Sequence, residues 1–230
     1  MTITPATLTR AAGIAAATAG LIFIGVQINH PHLDVTSITT TEMAVRSTMK
    51  VAMAALALVG ITGMYLRQVR QVGLLGLVGY VVFAIGYLAI LSTAYVAGYV
   101  LPSVAGTDPA YVTDVLAAAS NGSARGDIGL MQNALHVQGF GYLVGSLLFG
   151  IALYRARVLA RWAAALLAYG TTSALALSAL PESFSRPFAV PTGVALIGLG
   201  VSLWRGERRQ SETVDAQASA WVAEPVAGAV

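Results

Sequence analysis

Apolar residues run along this chain in six long stretches separated by short polar turns, and one internal passage, residues 27–50 (QINHPHLDVTSITTTEMAVRSTMK), is markedly more polar than the rest. The first stretch, residues 11–28, is long enough to cross a hydrocarbon core of about 30 Å as a helix. Its Gly13, Ala17, Gly20 spacing gives a small-residue face for close helix contact. Thr39 with Glu42 three residues on is a capping-box pattern, so a second helix is predicted to start near Thr40 and run to about Tyr65. A third span covers 72–101 and is ended by Pro102; a fourth follows Asp127, a candidate cap, and passes through His136 to Tyr154 with a Gly141-xxx-Gly145 face. The fifth reaches Leu180 and the sixth runs from about Phe188 to Trp204. Between the third and fourth, Asp108-Pro109 with Tyr111, Val112, Val115 and Leu116 predicts a short amphipathic helix lying on the surface.

The expectation is therefore an all-α, polytopic transmembrane bundle over residues 1–205, with six spans in three hairpins, followed by a disordered tail at 206–230. Composition agrees: 57% of residues are hydrophobic and 10% charged, far from the roughly 25% charged of soluble domains. Nine of the 13 basic residues (Arg10, Arg67, Arg70, Arg155, Arg157, Arg161, Arg205, Arg208, Arg209) fall on one side of such a layout. The positive-inside rule puts that side, with both termini, in the cytoplasm, and the expected location is the plasma membrane. The lipid bilayer is the expected partner, and no nucleic acid is expected. The absence of cysteine excludes disulfides, thiolate metal sites and a cysteine nucleophile.

Sorting the acids narrows the chemistry. Asp34, Glu42, Asp108, Asp114, Asp127 and Glu182 lie on the outer side, with His30, His32 and His136, and the other four acids are in the tail. None sits at mid-membrane, so an ion or proton relay has no groups to use. Asp108 and Asp127 read as helix caps, and Glu42 is half explained by its capping box and by Arg46 one turn on. Asp34 and Glu182 have no such local role, although Glu182 can pair with Arg186. His30-x-His32 with Asp34 and His136 has metal-ligand chemistry, but a His-x-His beside proline in an interfacial loop is more often simply polar, and no metal is expected. No phosphate loop, nucleophile elbow, zinc motif or magnesium-binding aspartate run is present, and no cofactor is expected. Tyr80, Tyr87, Tyr95 and Tyr99 fall within one arc of a helix, either as an aromatic cavity wall or, more commonly, as packing and interfacial anchors. What remains is protonation of a lipid-soluble substrate by a desolvated carboxyl, with aromatic faces stabilising a carbocation.

The Thr-Thr-Thr-Glu start of the second helix, GITGMYLRQVR over 60–70 and GYLVGSLLFGIALYRARVLARWAAALL over 141–167 resemble a large group of small bacterial six-helix membrane proteins of unknown function. In size and character the chain is also similar to the bacterial membrane-bound terpene cyclases of indole-sesquiterpene pathways. That resemblance implies acid-initiated, metal-independent cyclisation of a prenyl chain on a lipophilic, prenylated small-molecule substrate. Position then nominates Glu182 and Asp34 as proton donor and partner, with Glu42 beside them as a third catalytic acid, and His136, His30, His32, Tyr95 and Tyr99 as substrate-binding residues. The alternative is a non-enzymatic scaffold, subunit or lipid-binding regulator. A small-molecule transporter stands third, because no inverted repeat is evident.

Overall fold

The computed structural model describes residues 4–28, 30–120, 122–177 and 190–223, and they are helical throughout, with no strand among them. In chain order the helices are α1 (Pro5–Gly25), α2 (Val35–Ile38), α3 (Thr41–Arg67), α4 (Val69–Tyr95), a π-helical turn (Val96–Val100), α5 (Leu101–Val104), α6 (Pro109–Ala119), α7 (Leu130–Ala156), α8 (Arg161–Leu177) and α9 (Val190–Ala223). Among the described residues, four helical stretches are long and apolar enough to cross a membrane: α1, α3, the run 69–104, which is kinked at Gly73, and α7. The helix α9 passes through the boundary at 205 where a tail is predicted, and its backbone stays helical to Ala223.

Local chemistry explains where the rods begin and turn. Pro5 opens α1 behind Thr4, whose hydroxyl accepts from the Thr7 amide at 3.2 Å. Thr40 caps α3 by accepting from the Met43 amide at 3.3 Å. The predicted Thr39–Glu42 capping box does not form, because Glu42 turns to Arg46 instead. The chain reverses between α3 and α4 at buried Gln68, whose Nε2 donates to the Met64 carbonyl at 3.1 Å, and at Gly73, whose φ of 58° only glycine adopts without strain. Asp127 acts just ahead of α7, accepting from the Gly129 amide at 2.7 Å, and Gly129 is itself the N-cap at φ 60°. At the α7–α8 turn Arg161 stacks on the Tyr154 ring at 4.2 Å.

The long helices close into a ring: α1 on α3, α3 on α4, α4 on α7, α7 on α8, α8 on α9, and α9 back on α1. Small residues set the spacing at two seams. A Cβ on Gly86 of α4 would stand 2.5 Å from the Tyr142 nitrogen of α7, and one on Gly13 of α1 would stand 2.7 Å from the Gly200 carbonyl oxygen of α9. Both helix faces expected from glycine spacing, Gly13/Gly20 and Gly141/Gly145, are thus used as contact surfaces. Phe83, Tyr87 and Phe149 fill the middle, while Leu74, Val78, Val81, Ile85 and Leu88 face outward.

A second apolar cluster sits at the end of the ring that carries α2 and α6. Ile38, Met43, Leu101, Val112, Val115, Leu116 and Ile128 make it. Asp108 caps α6 as predicted, accepting from the Tyr111 amide at 3.0 Å. The apolar side of α6 is spent on this cluster instead of lying free on a membrane surface, so α6 and α2 together roof one end of the bundle.

Candidate functional site

Two partly open cavities adjoin near this end of the bundle, the second of them beneath the roof. The larger, about 270 Å³, is lined by Phe23, Val26, Gln27, Lys50, Met53, Ile90, Gln138, Gly139 and Tyr142. The smaller, about 160 Å³, lies between α3, α4 and α7 beneath Val115 and Leu116 of α6, with Ser47, Thr93, Met131 and Leu135 in its walls. Lys50, Ile90 and Gln138 line both. The junction of the two cavities is therefore a lysine and a glutamine among apolar side chains.

Lys50 is the only lysine in the chain, and it stands within a helix apolar enough to span a membrane. Its Nζ lies 3.1 Å from His30 Nε2, and His30 Nδ1 lies 2.8 Å from the Pro31 carbonyl oxygen. A carbonyl only accepts, so Nδ1 carries the hydrogen that meets Pro31, and the other ring nitrogen faces Lys50. Gln138 is anchored from its other side, its Oε1 engaged by the Thr93 hydroxyl. Phe23 and Tyr142 stack nearly parallel, interplanar angle 10°, and wall the larger cavity with aromatic faces.

Position of His30 depends on Arg46. Its guanidinium donates to the carbonyls of Val26 and Ile28 at 3.1 Å each, beyond the last turn of α1, and to Glu42 Oε1 at 2.9 Å. With its side chain 15% exposed against 59% for Glu42, Arg46 is the buried member of the pair. It clamps the connection on which His30 sits. The i,i+4 pairing read from the sequence is present, and its main use is to hold α1 against α3.

The remaining candidates are dispersed. Asp34 caps α2 in a full capping box: its Oδ1 accepts from the Ser37 amide at 2.7 Å and Ser37 Oγ accepts from the Asp34 amide at 3.0 Å. That gives Asp34 the local role the sequence reading did not find. The Ser37 amide, before all other causes, holds its carboxyl below the ordinary aspartate value. His32 is 78% exposed with Nδ1 4.0 Å from Asp34, and His136 sits exposed with Nε2 2.9 Å from Gln132 Nε2. Tyr95 and Tyr99 stack at 4.9 Å on the outer side of the π-helical turn, with the Tyr99 hydroxyl 2.6 Å from Thr48 Oγ1, and neither lines these two cavities. Tyr80 and Tyr87, by contrast, are packing residues, Tyr80 stacked on Tyr65 and Tyr87 tilted against Phe83. Glu182 lies outside the described residues. Of the predicted residues among those described, then, the cavity junction draws in His30 alone, while Glu42 supports it through Arg46. Among the described residues no cluster of three His, Asp or Glu side chains comes together to hold a metal.

Lys50 and Gln138 were the residues missed as site candidates. The signal was available: a lone lysine inside an apolar span is costly, and such groups mark functional sites by default. Comparison with protein-family models, curated proteins and solved structures returned no match.

Proposed function

We propose that this chain is a multi-pass plasma-membrane protein that binds a lipophilic molecule, polar end first, at the junction of the two cavities. The observation that carries it is Lys50, a charged side chain within a spanning-length apolar helix that lines both cavities and is oriented by His30. Binding sites of this kind are mostly apolar with a few placed polar groups. Six spans are supported by the six-membered ring of helices, and cytoplasmic termini by Arg67, Arg70, Arg155, Arg157 and Arg161 gathered at the end opposite the roof. Native mass spectrometry of the purified full chain tests the reading. A retained lipophilic species that is lost from Gln138→Leu supports it; a ligand retained equally by that variant and by wild type removes the cavity as its seat.

Turnover of the ligand by acid-initiated prenyl cyclisation is a second reading, favoured by the Phe23 and Tyr142 faces, which suit a carbocation. Asp34 is held in its ionised form and Glu42 is tied to Arg46, so the proton would come from Glu182. Incubating membranes with a farnesylated indole tests this. No cyclised product, or full turnover by Glu182→Gln, ends the cyclase reading.

A further inference from the structure

Resting on the membrane orientation proposed above, and not on a ligand at the cavity junction, we infer that the outer groove between α9 and the α7–α8 turn seats one anionic phospholipid of the cytoplasmic leaflet. Charge separates the two ends of the bundle. Asp34, Glu42, Asp108, Asp114 and Asp127 all belong to the roof end, and no other acidic side chain is among those described. At the opposite end Arg70, Arg155, Arg157, Arg161 and Arg205 are exposed. Basic pockets between helices on the cytoplasmic side of a membrane are where anionic lipid heads bind.

The groove itself, about 520 Å³, is a half-open channel. Its wall on α9 is the stripe Val194, Ile197, Val201 and Arg205, which recurs at three- and four-residue steps along one helix face, and Val158 and Trp162 face that stripe from the turn and the start of α8. The two walls are tied together. The Ala160 amide donates to Ser202 Oγ at 2.9 Å, and the Trp162 ring lies against Gly198, where a Cβ would collide with it. Length matches a lipid tail. Val194 and Arg205 are 11 residues apart, so at 1.5 Å per residue the stripe runs about 17 Å, against about 15 Å for half of a hydrocarbon core. The deep part is apolar, and the guanidinium at its cytoplasmic end has the fork that meets a phosphate with two bonds. Arg157, next in sequence to Val158 of the wall, brings a second charge to the same end. Trp162, 58% exposed, supplies the aromatic ring common near a membrane boundary. A second copy docked two-fold on this face would set arginine against arginine, whereas an anionic lipid complements it.

Native mass spectrometry of the full chain, released from nanodiscs that hold equal amounts of phosphatidylglycerol and phosphatidylcholine with the same acyl chains, counts the lipids retained. Wild type is expected to keep one phosphatidylglycerol in preference to phosphatidylcholine by about fivefold or more, the value of one arginine at an anionic lipid. Arg205→Gln should remove most of that preference and Arg205→Lys should keep it, while Arg125→Gln, at the roof end, should leave it unchanged. Val201→Trp, which fills the groove, should lower retention of both lipids. Equal retention of the two lipids by wild type overturns the anionic head and leaves the cavity reading standing. A preference unaltered in both Arg205→Gln and Val201→Trp overturns the groove as the seat. A preference lost from Gln138→Leu places the lipid at the cavity junction and overturns it too. A dimer retained in place of lipid, and broken by Val201→Trp, overturns the lipid as occupant.

Discussion

Arg46→Met is the perturbation that best tests the assembly of the site. The guanidinium donates to the backbone carbonyls of Val26 and Ile28 and pairs with the Glu42 carboxylate. Hydrogen bonds to a charged group are worth about 1.5–3 kcal/mol each. The Val26 bond is partly buried and the Ile28 bond exposed, so the low end applies, and the two together come to about 3 kcal/mol. Glu42 is 59% exposed, and an exposed pair at four-residue spacing contributes about 0.3–0.5 kcal/mol. Arg46→Met should therefore destabilise several-fold more than Glu42→Gln. The assay is unfolding of the full chain in detergent by titration with a denaturing surfactant, followed by circular dichroism. Hydrogen exchange should localise the loss to the end of α1 and the connection after it. Ligand binding should weaken as well, although Arg46 lines neither cavity. Equal costs for the two variants, or a cost for Arg46→Met below about 1 kcal/mol, would refute the clamp.

Gly86→Ala should cost about 1–3 kcal/mol by overpacking the α4–α7 seam, whereas Gly25→Ala, with nothing within 4 Å of its Cβ, should be close to neutral in the same unfolding assay. For Asp34 the folded carboxyl sits below its ordinary value of 3.8, so its contribution is present above that value and fades as the pH falls through the folded pKa. Carboxyl NMR should find it titrating low; a raised value would contradict the cap and revive Asp34 as a proton donor. Asp34→Asn should keep α2, since asparagine also caps, and Asp34→Ala should speed amide exchange at Ser37. Tyr99→Phe removes the hydroxyl contact to Thr48, and as that contact is exposed the variant should unfold within about 0.5 kcal/mol of wild type.

Apolar periodicity was enough to locate the rods. The helix predicted from about Thr40 to Tyr65 is observed as Thr41–Arg67, whereas Pro102 does not end the third span, because it sits in the first turn of α5, where a missing N–H costs little, and the helix runs on to Val104. Caps written in a standard form were legible too, as Asp108-Pro109 shows. The Asp34 cap was not, because its box is closed by serine at the third position where glutamate or glutamine is the usual mark. The π-helical turn left no pattern to read, and Tyr95 and Tyr99 stack on each other beside it, away from both cavities. Closure of α9 onto α1 joins the two ends of the chain, and glycine spacing announces a close contact without naming its partner.

The polar passage 27–50 looked like a rim because its acids and histidines were counted by side, which treats every polar group as facing the same water. Its side chains in fact divide by direction. Asp34 and His32 face outward and organise a short helix, whereas His30, Arg46 and Lys50 turn toward the bundle and build one continuous support. The order of that support is physical: Glu42 steadies Arg46, Arg46 holds the end of α1, that connection carries His30, and His30 meets Lys50. A carboxylate in such a series acts by charge and position, four residues from one cation and two contacts from another, and does not need to touch a ligand to matter for its binding. The functional weight of this passage therefore moves from its acids to its single lysine, the group whose charge is the most costly to keep within an apolar helix.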